Sequence, residues 1–151
     1  MNYWLMKSEP DVYSIDDLKR DRNEIWDGVR NYQARNFLKT MAVGDIAFFY
    51  HSNTKPPGIA GLMKISEAMI VDPTQFEPTN KYYDPKSEPK DPRWHTVTVT
   101  YVETFTHYIS LDQLKDTFTP DDLQVVKRGN RLSVMPVAEA VAQRLLTLAK
   151  G

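Results

Sequence analysis

Ile46-Ala47-Phe48-Phe49-Tyr50-His51 is apolar almost throughout, and a run of this length and composition is best satisfied as a strand covered on both faces. It therefore demands packed layers on either side of a sheet. Lys55-Pro56-Pro57-Gly58 supplies a turn, and Ile59-Ala60-Gly61-Leu62-Met63-Lys64-Ile65 returns as the partner strand. Tyr3-Trp4-Leu5-Met6 reads as a second central strand ended by Ser8-Glu9-Pro10, with a short strand at Ile25-Trp26. Residues 96–102 alternate Val with Thr, and residues 131–137 form a last strand. Between them Ser14 caps a short acidic-first helix, and Asn31 stands where an N-cap belongs ahead of Ala34, Phe37, Leu38 and Met41. Ser110 opens a further helix, Thr119-Pro120-Asp121 starts another, and Val141, Leu145 and Leu148 mark the buried face of the last. Interspersed helices and strands of mixed length, with no repeat or linker, predict one α+β domain over residues 1–151 with a curled or barrel-like sheet.

The function classes narrow next. A formal charge of -1 gives no global field to hold a polyanion, so any nucleic-acid binding has to be local or shape-selective. With no cysteine, disulfides, thiol catalysis and cysteine-rich zinc sites are excluded, and His51, His95 and His107 share no short metal spacing. Neither metal nor cofactor is expected. Polar residues follow Met6 too soon for a signal peptide, and no apolar run reaches the roughly 20 residues of a membrane helix. The expectation is a soluble, cytoplasmic protein with no membrane partner.

Trp26-Asp27-Gly28-Val29-Arg30-Asn31-Tyr32 combines aromatic faces, hydrogen-bonding groups and a glycine in one apparent loop. That mixture suits a pocket for a flat, polar ligand, since aromatic rings stack on a base while amides and hydroxyls read its edge. Ser8-Glu9 and Tyr50-His51-Ser52 add residues of the right types, and Lys127-Arg128-Gly129-Asn130-Arg131 offers cations for phosphates or a solvated turn. Trp94 can stack on a ligand or close the end of the sheet. Residues 72–92, rich in Pro, Asp and Lys, form a loop long enough to suggest a functional role. Catalytic readings are thin. Glu9 and Asp27 lie on separate segments, and the glycines make neither a P-loop nor a dinucleotide fingerprint.

The blocks Tyr3-Trp4-Leu5-Met6-Lys7-Ser8-Glu9-Pro10, residues 26–36, Phe48-Phe49-Tyr50-His51-Ser52, Gly58-Ile59-Ala60-Gly61 and residues 131–137 resemble, in order, the EVE domain. The resemblance implies a PUA-like curled β-barrel with flanking helices, related to YTH and ASCH domains, and a non-enzymatic module that takes a modified, flipped base of DNA or RNA into an aromatic pocket. It also implies that Lys7-Ser8-Glu9 meet the base edge and that Trp26 is a cage wall. Gly28, Val29, Arg30, Asn31 and Tyr32 would line the cavity, with Tyr50-His51-Ser52 as its opposite rim. The second aromatic wall stays open among Tyr82, Tyr83 and Trp94, and Asn31 has two competing roles, helix cap and edge reader. Lys127, Arg128 and Arg131 are the expected phosphate contacts. Two alternatives remain: an ASCH-like nuclease using Glu9, Asp27 or His51, and a sensor of a free nucleoside.

Overall fold

A computed structural model describes residues 1–151. Its centre is the expected run, strand β3 (Ile46–His51), held between parallel β1 (Tyr3–Ser8) and antiparallel β4 (Gly58–Val71). β5 (His95–Ser110) continues the sheet beyond β4, short β2 (Asn23–Ile25) forms one edge, and β6 (Val134–Val137) forms the other beside β1. The order is β2-β5-β4-β3-β1-β6. Its two edges do not pair with each other, so the expected barrel is an open, mixed six-stranded sheet. Register shifts along β4 and β5 supply the local bends that curl such a sheet.

Period-two alternation divides the core between the two faces. Tyr3, Leu5, Phe48 and Tyr50 pack on one side with Leu114 of α3 (Leu111–Thr117) and Val141, Ala142 and Leu145 of α4 (Glu139–Lys150). Trp4, Met6, Ala47 and Phe49 pack on the other with Ile15 and Leu18 of α1 (Ile15–Asp21) and Ala34 and Leu38 of α2 (Tyr32–Thr40). Both faces of β3 are thereby buried.

Helix starts follow local chemistry. Ser14 Oγ accepts the Asp17 N–H while the Asp17 carboxylate accepts the Ser14 N–H, a reciprocal capping box. Asn31 Oδ1 accepts the Ala34 N–H at 2.9 Å, and Ser110 Oγ the Gln113 N–H at 3.2 Å. Ala138 leaves α4 without a side-chain cap. Thr119-Pro120-Asp121 does not start an α-helix, because Thr119 and Asp122 cap each other into a closed turn ahead of a single 3-10 turn at Gln124–Val126. The last strand begins at Val134 rather than at Arg131, since Asn130 Oδ1 takes the Leu132 N–H into a loop. β4 and β5 extend past the expected 59–65 and 96–102, with exposed residues recurring along the extensions, where hydrophobicity gives no signal. No helix is long and apolar enough to cross a membrane.

Candidate nucleic-acid interface

β1 and β3, the one parallel pair, end side by side at Ser8 and His51, and a cavity of about 880 Å³ opens beyond them. Lys7 and Ser8 enter it from β1 and Glu9 from just past its end, Ser52 and Asn53 from the segment after β3, and Ile25 from the end of β2 with Trp26, Asp27, Gly28, Val29 and Arg30 following it. Val12, Tyr13, Glu24, Tyr82, Arg131 and Ser133 complete the lining. Eight of the thirteen residues expected around a base are therefore together: Lys7, Ser8, Glu9, Trp26, Gly28, Val29, Arg30 and Ser52.

Trp26 is mostly enclosed, with its ring edge-on to Phe49 at 5.4 Å between centroids. Its N–H donates to Val97 O at 2.9 Å and its carbonyl accepts the Thr96 hydroxyl, which locks the residue onto β5. Gly28 has φ +81°, and a Cβ there would lie 2.5 Å from the Tyr82 ring. Only glycine lets Tyr82 lie this close while holding that backbone angle. Of the three aromatics left open by sequence, Tyr82 is the one on the cavity lining and Tyr83 and Trp94 are not, while Tyr13 adds a third ring beside Trp26.

Arg30 fixes that arrangement across more than forty residues of sequence. Its Nε and Nη2 donate to Tyr82 O at 3.0 and 2.7 Å, Nη1 to Val29 O and the Asp72 carboxylate at 2.9 and 3.0 Å, and Nη2 also to Thr74 Oγ1 at 3.0 Å. Buried Asp72 takes, besides, the Gly28 N–H at 2.9 Å and both the N–H and hydroxyl of Thr74. The guanidinium lies over the Tyr82 and Trp94 rings. Every donor of Arg30 is engaged, so this cation shapes the wall.

Five expected residues are elsewhere. Asn31 resolves its two roles as helix cap. Tyr32 stands outside on the first turn of α2, its ring stacked on Trp94 at 4.9 Å with Arg35 over it. Trp94 is buried, and its indole N–H donates to the Asp84 carboxylate at 2.8 Å, which pulls the Asp84 carboxyl below its ordinary pKa and closes the 72–94 loop. Tyr50 follows Phe49 in a strand and so points to the opposite face, where burial pushes its hydroxyl pKa up to about 12. His51 Nε2 accepts the Ile15 N–H at 3.1 Å, anchoring α1; burial lowers its pKa.

Glu9 and Asp27 do share the cavity, but in different states. Glu9 accepts from the Asn53 amide at 2.8 Å, whereas no side-chain hydrogen bond engages the Asp27 carboxyl. Burial, then the charges of Asp72 and Glu24, raise its pKa. No group of three or more His, Asp and Glu side chains is placed to hold a metal ion.

Beside the cavity runs a shallower groove of about 360 Å³, lined by Asn31 and Gln33 on one bank and Gln124 and residues 127–132 on the other. Lys127 and Arg128 belong to this groove, and Arg131 lines both hollows. Asn130 holds the basic loop, donating to Gln124 O at 2.7 Å and accepting from Leu132 N–H at 2.8 Å.

An open mixed sheet covered by helices on both faces, with a cavity of aromatic and polar side chains at its end, defines a PUA-like α+β module. Comparison with the YTH domain of Zygosaccharomyces rouxii MRB1, solved with N6-methyladenosine RNA, agrees on fold alone: TM-score 0.58 over 99% of this chain and 86% of that one, at 14% identity. The EVE domain model matches residues 2–148, and the chain belongs to the EVE domain family. Mouse thymocyte nuclear protein 1 is 45% identical, over 97% of this chain and 73% of its own length. The human THYN1 protein, crystallised in complex with 5-methylcytosine-containing DNA, is 43% identical with a TM-score of 0.92, over 100% of this chain and 99% of that one.

Proposed function

We propose that this chain is a non-enzymatic reader that binds nucleic acid and takes one modified base, turned out of its stack, into the cavity between Trp26 and Tyr82. The observation that carries the reading is the cavity itself: aromatic rings beside polar side chains at the end of a sheet whose relative is crystallised on 5-methylcytosine DNA. Ser8, Asp27 and Ser52 supply hydrogen-bonding groups at the base edge, and residues 1–151 act as one binding unit. Stacking on an aromatic contributes roughly 1–3 kcal/mol per base, so the edge contacts have to carry the discrimination between modified and unmodified bases.

The nuclease reading draws less support, because Glu9 is bound to Asn53 and His51 Nε2 is occupied by Ile15. Titration of oligonucleotides with and without 5-methylcytosine or N6-methyladenine into wild type and Tyr82→Ala tests the proposal. Wild type is expected to prefer a modified strand, and Tyr82→Ala to lose about thirtyfold in affinity for it, the middle of the stacking range. Equal affinity for every strand in both proteins sinks the reading. Strand cleavage during incubation with DNA or RNA would instead restore the enzyme.

A further inference from the structure

Six charged side chains line the cavity: Glu24, Asp27 and Arg30 come from the Trp26 segment, Glu9 is held by Asn53, and Lys7 and Arg131 neighbour Ser133. The Lys7 N–H donates to Ser133 O at 2.8 Å, which sets the end of β1 against the segment that follows Arg131. Lys7 stands opposite Tyr50 in the β1–β3 register and lies over its ring at 5.8 Å, on the side of the sheet away from Phe49 and Trp26. The two cations contrast with Arg30. Neither the Lys7 ammonium nor the Arg131 guanidinium makes a hydrogen bond or ion pair within the chain, nor do Lys127 and Arg128. Lys7 is the more telling, since it is half-buried and burial without an anionic partner lowers its pKa. A half-buried ammonium on a residue that lines a cavity, with an aromatic ring beside it and no anion, is stabilised by an anion brought from outside.

We propose that Lys7 and Arg131 form a phosphate seat at the Ser133 end of the cavity, so that the site binds a nucleotide in a fixed orientation, base toward Trp26 and Tyr82. This rests on the reading above and goes past it. Lys7 contacts the backbone and not the base edge, and the strand leaves over Arg131, the residue common to both hollows, into the groove beside Lys127 and Arg128. The chemistry shared by possible ligands is a phosphate ester next to a base, supplied either by a strand or by a free nucleotide. The two sources differ in whether the outer groove contributes.

The test measures binding of 5-methyldeoxycytidine, its 5′- and 3′-monophosphates and a single-stranded oligonucleotide containing it. The proteins are wild type, Lys7→Met, Arg131→Gln, Lys127→Gln/Arg128→Gln and, as a control for charge alone, Lys115→Gln on α3. In wild type one of the monophosphates is expected to bind at least tenfold more tightly than the nucleoside. Lys7→Met and Arg131→Gln should abolish that gain while leaving nucleoside affinity intact. For the oligonucleotide, each should reduce the slope of log affinity against log salt by about 0.7, the single-strand value for one phosphate. The double variant should weaken the oligonucleotide but not the monophosphate; weakening of neither marks a free nucleotide as the ligand within the same seat. Arg131 is exposed, so Arg131→Gln keeps the test decisive even where Lys7→Met loses its fold. Equal binding of nucleoside and both monophosphates by wild type overturns the seat while leaving the base reading in place. Failure of wild type to bind nucleoside, nucleotide or strand overturns both.

Discussion

The two banks of the cavity hold the same kinds of side chain and use them in opposite ways. On the Trp26 bank, Arg30 spends its donors on Asp72, Thr74, Val29 and Tyr82, and Asp72 accepts from Gly28 as well. On the Ser133 bank, Lys7 and Arg131, like Lys127 and Arg128 in the adjoining groove, have no hydrogen-bond or ion-pair partner in the chain. A charge answered from within the fold builds shape. One left unanswered beside a cavity is available to a ligand, and in a chain of net charge -1 it has to be placed locally to matter.

The strongest way to break this contrast is Asp72→Ala. The carboxylate is 1% exposed and serves Gly28, Thr74 and Arg30 together, so its removal strands two backbone donors and takes from the half-buried Arg30 its one anionic partner. The expected loss is about 4 kcal/mol of folding stability, read from denaturant unfolding. Retention of wild-type stability would show that the Trp26 bank is held by something other than its charges.

Gly28→Ala comes next. The new Cβ meets the Tyr82 ring at a positive φ, and the strain should lower stability by about 1–3 kcal/mol. Displacing Tyr82 should also weaken binding of a base. A crystal structure of the variant with Tyr82 unmoved would remove it as a wall.

That arrangement also marks how far a sequence alone can be read. Trp26, Gly28, Val29 and Arg30 were legible as cavity residues because their mixture fits neither a strand nor a solvated turn. Ser14 and Ser110 were legible as caps because capping is local chemistry, whereas Asn31 had two open roles, settled only by its Oδ1 accepting the Ala34 N–H. What stayed hidden depends on partners far along the chain. Arg30 meets Asp72 across 42 residues and Tyr82 O across 52, and nothing in either segment announces the other. Trp94 and Tyr82 have similar sequence claims to be a wall; only the closure of the 72–94 loop, with Trp94 bound to Asp84, separates them. Tyr50 was within reach, since alternation places it opposite to Phe49 and so away from Trp26.

On the opposite bank, Lys127→Gln/Arg128→Gln sharpens the comparison by costing almost nothing in the fold. Both residues are exposed and unpaired, so stability should stay within about 0.5 kcal/mol of wild type. Affinity for a strand, in contrast, should fall several-fold at low salt and converge with wild type as salt screens the phosphates. A large drop in melting temperature would place these cations among the structural ones.

Asp27 is the exception on the satisfied bank, and it yields the smallest effect. Its carboxyl lines the cavity without a side-chain hydrogen-bond partner while burial, then Asp72 and Glu24, raise its pKa, with Arg30 and its own backbone N–H opposing them. The fold therefore favours the protonated acid more than the unfolded chain does. The stability contributed by that preference is fully present below the unfolded pKa of about 3.9 and is lost as pH rises through the higher folded value. Asp27→Asn removes the charge that the fold resists at neutral pH. Its melting temperature should exceed that of wild type at pH 7, and the gap should close toward pH 3, where Asp27 is itself neutral. A gap that persists at pH 3 would mean that the amide gains a hydrogen bond the acid lacks. No gap at pH 7 would mean that solvent in the open cavity already satisfies the carboxylate, leaving it as available to a ligand as the cations on the other bank.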